Sequence, residues 1–117
     1  METDSERESL IAQVIDVLKE RDVLEIILFG SSIDSTSSND SDIDLLVILN
    51  IDKIPETFEE KMQMKLQLRK SIRHLNRRIG IDLLVYTKKE YEIIKREKPA
   101  FFNNIWQKGT ILYEKAS

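Results

Sequence analysis

The chain has no cysteine and a single histidine, His74. The first absence excludes disulfides, thiolate catalysis and every thiolate-held zinc or iron–sulfur centre, and the second excludes a histidine-rich metal site. Any metal bound here must be held by oxygen, which restricts it to hard cations. Glycine and proline are scarce, with three and two residues. Gly30, Gly80 and Gly109 lie too far apart to build a Walker A loop or a dinucleotide-binding glycine fingerprint. No apolar run approaches the ~18 residues of a membrane span, and the first residues are polar and acidic. A cytoplasmic protein with no membrane partner is expected. Basic residues are in slight deficit, 18 against 21 acidic ones for a net charge of −3, a balance that makes direct nucleic-acid binding unexpected.

What is present is ordinary for a globular chain. Of 117 residues, 41% are hydrophobic and 33% charged, so disorder and fibrous repeats are excluded and one domain over residues 1–117 is expected. The charges are unevenly spread. Residues 61–78 hold seven Lys or Arg and no acid, whereas residues 31–44 hold four Asp and no base.

Patterning gives an α/β reading. Ser5 with Glu8 forms a capping-box pattern ahead of Leu10, Ile11, Val14, Ile15 and Leu18 at helical spacing. Val23 to Phe29 reads as a buried strand that stops at Gly30 and leads into a Ser- and Asp-rich loop. Residues 42–49 form a second strand, apolar on both faces beyond its start, as in a sheet covered on both sides. Phe58 to Ile79 predicts the longest helix, with Phe58, Met62, Leu66, Leu68, Ile72, Leu75 and Ile79 in one broad stripe, ended by Gly80. Ile81 to Tyr86 is a third strand; Thr87 with Glu90 opens a helix to Lys98; Pro99 and Gly109 bracket a short apolar helix in which Phe101, Phe102 and Trp106 are expected in the core, with base stacking or partner contact as the alternative. Thr110 to Tyr113 is a final edge strand. The architecture expected is a small mixed β-sheet flanked by helices.

The pentapeptide Ile-Asp-Leu-Leu-Val occurs at 43–47 and again at 81–85. Each copy puts one Asp at the start of an otherwise apolar strand, where a carboxylate is costly unless something binds it. Strand residues two apart share a face, so Asp42 and Asp44 point the same way. If the strand of Asp82 lies beside theirs, about 4.8 Å away, three carboxylates surround room for one or two hard divalent cations. Their mutual repulsion is relieved by Mg²⁺, and two Mg²⁺ ions are the known arrangement for in-line attack of a hydroxyl on a phosphoryl group. Twelve residues before Asp42, Gly30 lets backbone amides approach a phosphate, and Ser31 and Ser32 add donors without bulk.

Gly30 and Ser31, ten intervening residues, then Asp42-Ile43-Asp44 at a strand start and Asp82 in a later strand resemble the DNA polymerase β-like nucleotidyltransferases, in particular the minimal nucleotidyltransferases of bacteria and archaea. The resemblance covers nearly the whole chain. It implies the polymerase β-like nucleotidyltransferase fold, with Gly30, Ser31 and Ser32 at the nucleotide, Asp42 and Asp44 bridging two Mg²⁺ ions, and Asp82 completing the metal that activates the acceptor hydroxyl. The implied reaction transfers a nucleoside monophosphate from an NTP, with ATP the expected donor, and releases pyrophosphate. Many relatives follow Gly-Ser with Arg and, three residues later, Gly; this chain has Ser32 and Ser35 there. Minimal nucleotidyltransferases are often encoded with a HEPN-domain ribonuclease toxin and act as its antitoxin, in some cases by attaching AMP to a toxin tyrosine. That implies a HEPN-domain toxin as protein partner and acceptor, with inhibition by binding alone as the alternative function.

Other readings of the same residues are weaker or remain open. A calcium loop beginning at Asp40 needs Gly at its sixth position, where Leu45 stands. Asp42 taken alone fits a turn, and Asp82 alone a cap after Gly80. Lys70, Arg73, His74 and Arg77 on the polar side of the long helix fit either a solvated face suited to a helix C-terminus or a docking surface for an acidic partner or RNA.

Overall fold

A computed structural model describes residues 4–30 and 43–116. Helix α1 (Asp4–Leu18) buries Leu10, Val14 and Leu18, spaced four apart on one face. It begins before Ser5, so the expected cap residue lies inside the first turn. A 3₁₀ turn (Lys19–Arg21) and Asp22, in the left-handed region at φ 57°, lead into β1 (Val23–Phe29). The Asp22 carboxylate accepts hydrogen bonds from Asn50 Nδ2 at 3.2 Å and Lys115 Nζ at 3.1 Å. It thereby ties the start of β1 to the chain just beyond β2 (Ile43–Leu49) and β4 (Thr110–Glu114). Helices α2 (Phe58–Ser71) and α3 (Arg73–Asn76) cross from β2 to β3 (Ile81–Thr87), and α4 (Lys88–Glu97) and α5 (Ala100–Lys108) precede β4.

The strands form a four-stranded mixed sheet in the order β3-β2-β1-β4. β1 runs antiparallel to both β2 and β4, whereas β2 and β3 are parallel. A parallel pair cannot be joined by a tight turn, and α2 and α3 supply the crossover it needs. The repeated pentapeptide explains the register: Ile43 faces Ile81, Asp44 faces Asp82, and so on to Val47 and Val85. Ile43, Leu45, Val47, Ile81, Leu83 and Val85 join α1, α2 and α3 in one aliphatic core. Leu46 and Ile48 project from the other face into a second core with Tyr91 of α4 and Phe102 and Ile105 of α5. No helix among the described residues is long and apolar enough to cross a membrane.

The helix expected from Phe58 to Ile79 is broken. At Ile72 (φ −111°, ψ 14°) it ends and restarts as α3, which leaves α1, with 15 residues, longer than the 14 of α2. The Ser71 hydroxyl donates to the Leu68 carbonyl at 2.6 Å, a side-chain bond that competes with the helical ladder and bends it. The break lets Leu68, Ile72, Leu75 and Ile79 all enter the aliphatic core. Phe58 (77% exposed) and Leu66 (41%) do not. Leu66 and Leu68 are about 200° apart on a helix, so one sheet face cannot bury both. The same geometry divides α5: Phe102 is buried, and Phe101, expected in the core, is 53% exposed.

On β1, Glu25 lies opposite Glu114 of β4. Partial burial, and then the Glu114 charge, hold the Glu25 carboxyl above its ordinary value against a weaker pull from Lys95. A carboxyl whose folded-state pKa is raised favours folding when protonated, so its contribution is complete below the unfolded value and is lost as pH rises through the folded one. Glu25→Gln is therefore expected to melt higher than the wild type at pH 7, with the advantage shrinking toward zero as melts are repeated below about pH 4.

Candidate active site

Asp44 and Asp82 are each the second residue of their strand, and the in-register parallel pairing makes them neighbours. Parallel strands are about 4.8 Å apart, and paired residues project to the same side. Two adjacent hydrophobic positions hold this geometry. Ile43 and Ile81, 0% and 6% exposed, sink into the aliphatic core and so turn the following Asp of each strand to the opposite face. Slipping either strand by one residue would bury a carboxylate there. Hydrogen bonds fix the strand starts: Ile43 N donates to the Gly80 carbonyl at 3.0 Å, and Ile81 N donates to Asn76 Oδ1 at 2.8 Å. Asn76, the last residue of α3, thus clips the beginning of β3 and positions Asp82. Sequence reading missed it, although an Asn four residues before a helix-ending Gly was available as a signal.

On the other side of Asp44, Phe29 pairs with it as the last residue of β1, and the chain then turns at Gly30 with φ 81°. A Cβ placed on Gly30 would stand 2.5 Å from Asp44 Oδ2 and 3.1 Å from its Cγ. Glycine is needed there twice, for the left-handed backbone and for the close approach. The result is a carboxylate pair at the sheet end where β2 and β3 begin, with a turn of backbone pressed against one of them. Asp44 is partly buried and Asp82 exposed. Of the residues expected at the site, Gly30, Asp44 and Asp82 come together; Ser31, Ser32 and Asp42 lie outside the described residues. Among the described residues no group of three or more acidic or imidazole side chains gathers for a metal. The pair that does gather, all oxygen and beside a cradle that a Cβ would fill, suits a hard divalent cation.

The polymerase beta, nucleotidyltransferase family matches residues 12–117. The chain belongs to that family. Among solved structures it is similar to a protein of Sulfolobus solfataricus assigned as a nucleotidyltransferase, with 19% identity, a TM-score of 0.54, and coverage of 97% of this chain and 91% of that one. At this identity the likeness speaks for the fold, and the small mixed sheet flanked by helices is the polymerase β-like nucleotidyltransferase fold. A comparison with curated proteins gave no match. The fold is one that supports transfer of a nucleoside monophosphate, and the Asp pair lies where two of its strands begin.

Gly30→Ala places a methyl group against the Asp44 carboxylate and forces a left-handed φ on an L side chain. The variant is expected to lose about 1–2 kcal/mol of stability in urea titrations. It is also expected to bind Mn²⁺ more weakly than the wild type when free ion is followed by electron paramagnetic resonance.

Proposed function

We propose that the chain is a Mg²⁺-dependent nucleotidyltransferase that moves AMP from ATP to a hydroxyl on a protein partner, acting as the antitoxin of a HEPN-domain toxin. The observation that carries the chemistry is the pairing of Asp44 with Asp82 against the Gly30 turn. These carboxylates, with Asp42, would hold two Mg²⁺ ions, which when bound supply charge neutralisation at the phosphates and lower the pKa of the acceptor hydroxyl. Gly30, Ser31 and Ser32 would receive the triphosphate. The acceptor oxygen bonds to the α-phosphorus, the bond from that phosphorus to the bridging oxygen breaks, pyrophosphate leaves, and the hydroxyl proton passes to water. Asp44, held by register and by the turn, would serve the cation at the phosphates, and Asp82, the more exposed of the two, the cation that activates the acceptor hydroxyl.

A protein acceptor is supported by a patch of positive charge on the segment that leads into β3. Lys70, Arg73, His74 and Arg77 are exposed along the end of α2 and through α3. The chain from Arg77 leads within five residues to Asp82, and Asn76 is bonded to the start of β3. This basic face lies on the segment that enters β3, over the sheet face opposite the carboxylates, where it can dock an acidic surface of the partner and steer its approach.

The test is incubation with radiolabelled ATP, Mg²⁺ and a HEPN-domain partner, followed by mass analysis of the partner. An AMP adduct is expected with the wild type and absent both in EDTA and with Asp82→Asn, which should fold normally and melt at the same temperature or higher because a like charge has been removed. A tight complex that inhibits the partner with no adduct would replace transfer by inhibition through binding. Reversing the charges of Arg73 and Arg77 is expected to weaken the association, most clearly at low salt; an unchanged Kd there would remove the docking role of this face.

A further inference from the structure

We infer that the exposed ring of Phe101 is a stacking platform for the base of the bound nucleotide, an assignment that rests on the nucleotidyl-transfer reading above. Four rings run edge to face across the aromatic side of the sheet. Phe29 meets Phe101 with centroids 6.1 Å apart and planes at 88°; Phe101 meets Phe102 at 5.4 Å and 88°; Phe102 meets Tyr86 at 5.5 Å and 73°. Phe102 is buried and anchors the series in the second core, while Phe101 stays 53% exposed. The series begins at the site itself, because Phe29 is the register partner of Asp44 and the residue before Gly30. A half-exposed ring, held by two neighbours, thus stands one side chain away from Asp44 and from the Gly30 turn assigned to the triphosphate.

The other strongly exposed phenylalanine shows what distinguishes this one. Phe58 is more exposed, but it opens α2 beyond the far end of β2 and makes no ring contact among the described residues. Of these two exposed rings, Phe101 is the one that is braced and beside the site. Its chemistry specifies the ligand part: a ring without donors or acceptors reads no hydrogen-bonding edge, but every nucleobase has a π-face to lay on it. Stacking of this kind tolerates any base and favours the larger purines.

The experiment is calorimetry in excess Mg²⁺ with two probes, a non-hydrolysable ATP analogue and inorganic tripolyphosphate, on the wild type and on Phe101→Leu, Phe101→Ala and Phe101→Trp. Leucine keeps apolar contact with Phe29 and Phe102 but has no π-face, so it preserves packing if the alanine variant loosens. The Leu and Ala variants are expected to bind the analogue roughly 5- to 100-fold more weakly, the Trp variant at least as tightly as the wild type, and all four proteins to bind tripolyphosphate alike. The platform is overturned if Leu and Ala bind the analogue as the wild type does, if tripolyphosphate weakens in step with the analogue, or if the wild type binds both probes equally. A wild type that binds neither probe would overturn the nucleotidyl-transfer reading and the platform with it.

Discussion

The parallel pairing of β2 with β3 is the contact on which the site depends, because it sets two like charges side by side. Carboxylates one strand spacing apart repel by on the order of 1 kcal/mol in water, and more as the surroundings dry. That repulsion is tolerated because the positions that follow, Leu45 to Leu49 after Asp44 and Leu83 to Tyr86 after Asp82, pack on both faces of the sheet and hold the register against it. The strands behave as two stiff rods whose buried lengths force their ends together. A cation that settles between those ends draws on stability already supplied elsewhere in the sheet.

The two faces of the sheet do different work. One is aliphatic, closed by α1, α2 and α3. The other is aromatic: Trp106 Nε1 donates to the Tyr91 hydroxyl at 2.8 Å, and Lys61, ion-paired to Glu90 at 2.8 Å, lies 4.0 Å from the Tyr86 ring centre. Glu90 also closes the capping box of α4 with Thr87, so one side chain joins α2, β3 and α4. The carboxylates open on this aromatic face. Flat, weakly hydrated surfaces and the Asp pair therefore belong to the same side of the molecule, a pairing suited to a ligand that is charged at one end and aromatic at the other.

The strands were readable because their signals are local. Ile26 to Phe29 and Leu45 to Leu49 are unbroken apolar runs, Thr87 and Glu90 carry their cap in the sequence, and the repeated pentapeptide announces its own partner. The errors arise where apolar residues compete for one surface. Periodicity marks Leu66, Leu68, Phe101 and Phe102 as equals, and only packing decides that Leu68 and Phe102 are buried. The break at Ile72 has the same origin, since a straight helix would carry part of its stripe past the core. At the site, the nearness of Asp44 and Asp82 was legible only on the condition that their strands pair, and the pressure of the Gly30 turn on Asp44 and the bond from Asn76 to Ile81 exist only in three dimensions.

The long crossover also has a kinetic meaning. Gly30 and Asp44 are brought together by an antiparallel pairing of neighbours in sequence, but Asp82 lies 38 positions after Asp44 and arrives only when α2 and α3 have folded across the sheet. Non-local parallel pairing of this kind forms late, because loop-closure entropy is spent before the contact returns anything. A chain leaving the ribosome therefore holds half of its charge pair, well separated from the rest, until the third strand docks. The Asp pair exists only once β3 has docked, so the two like charges meet on a sheet whose first pairing is already there to hold them.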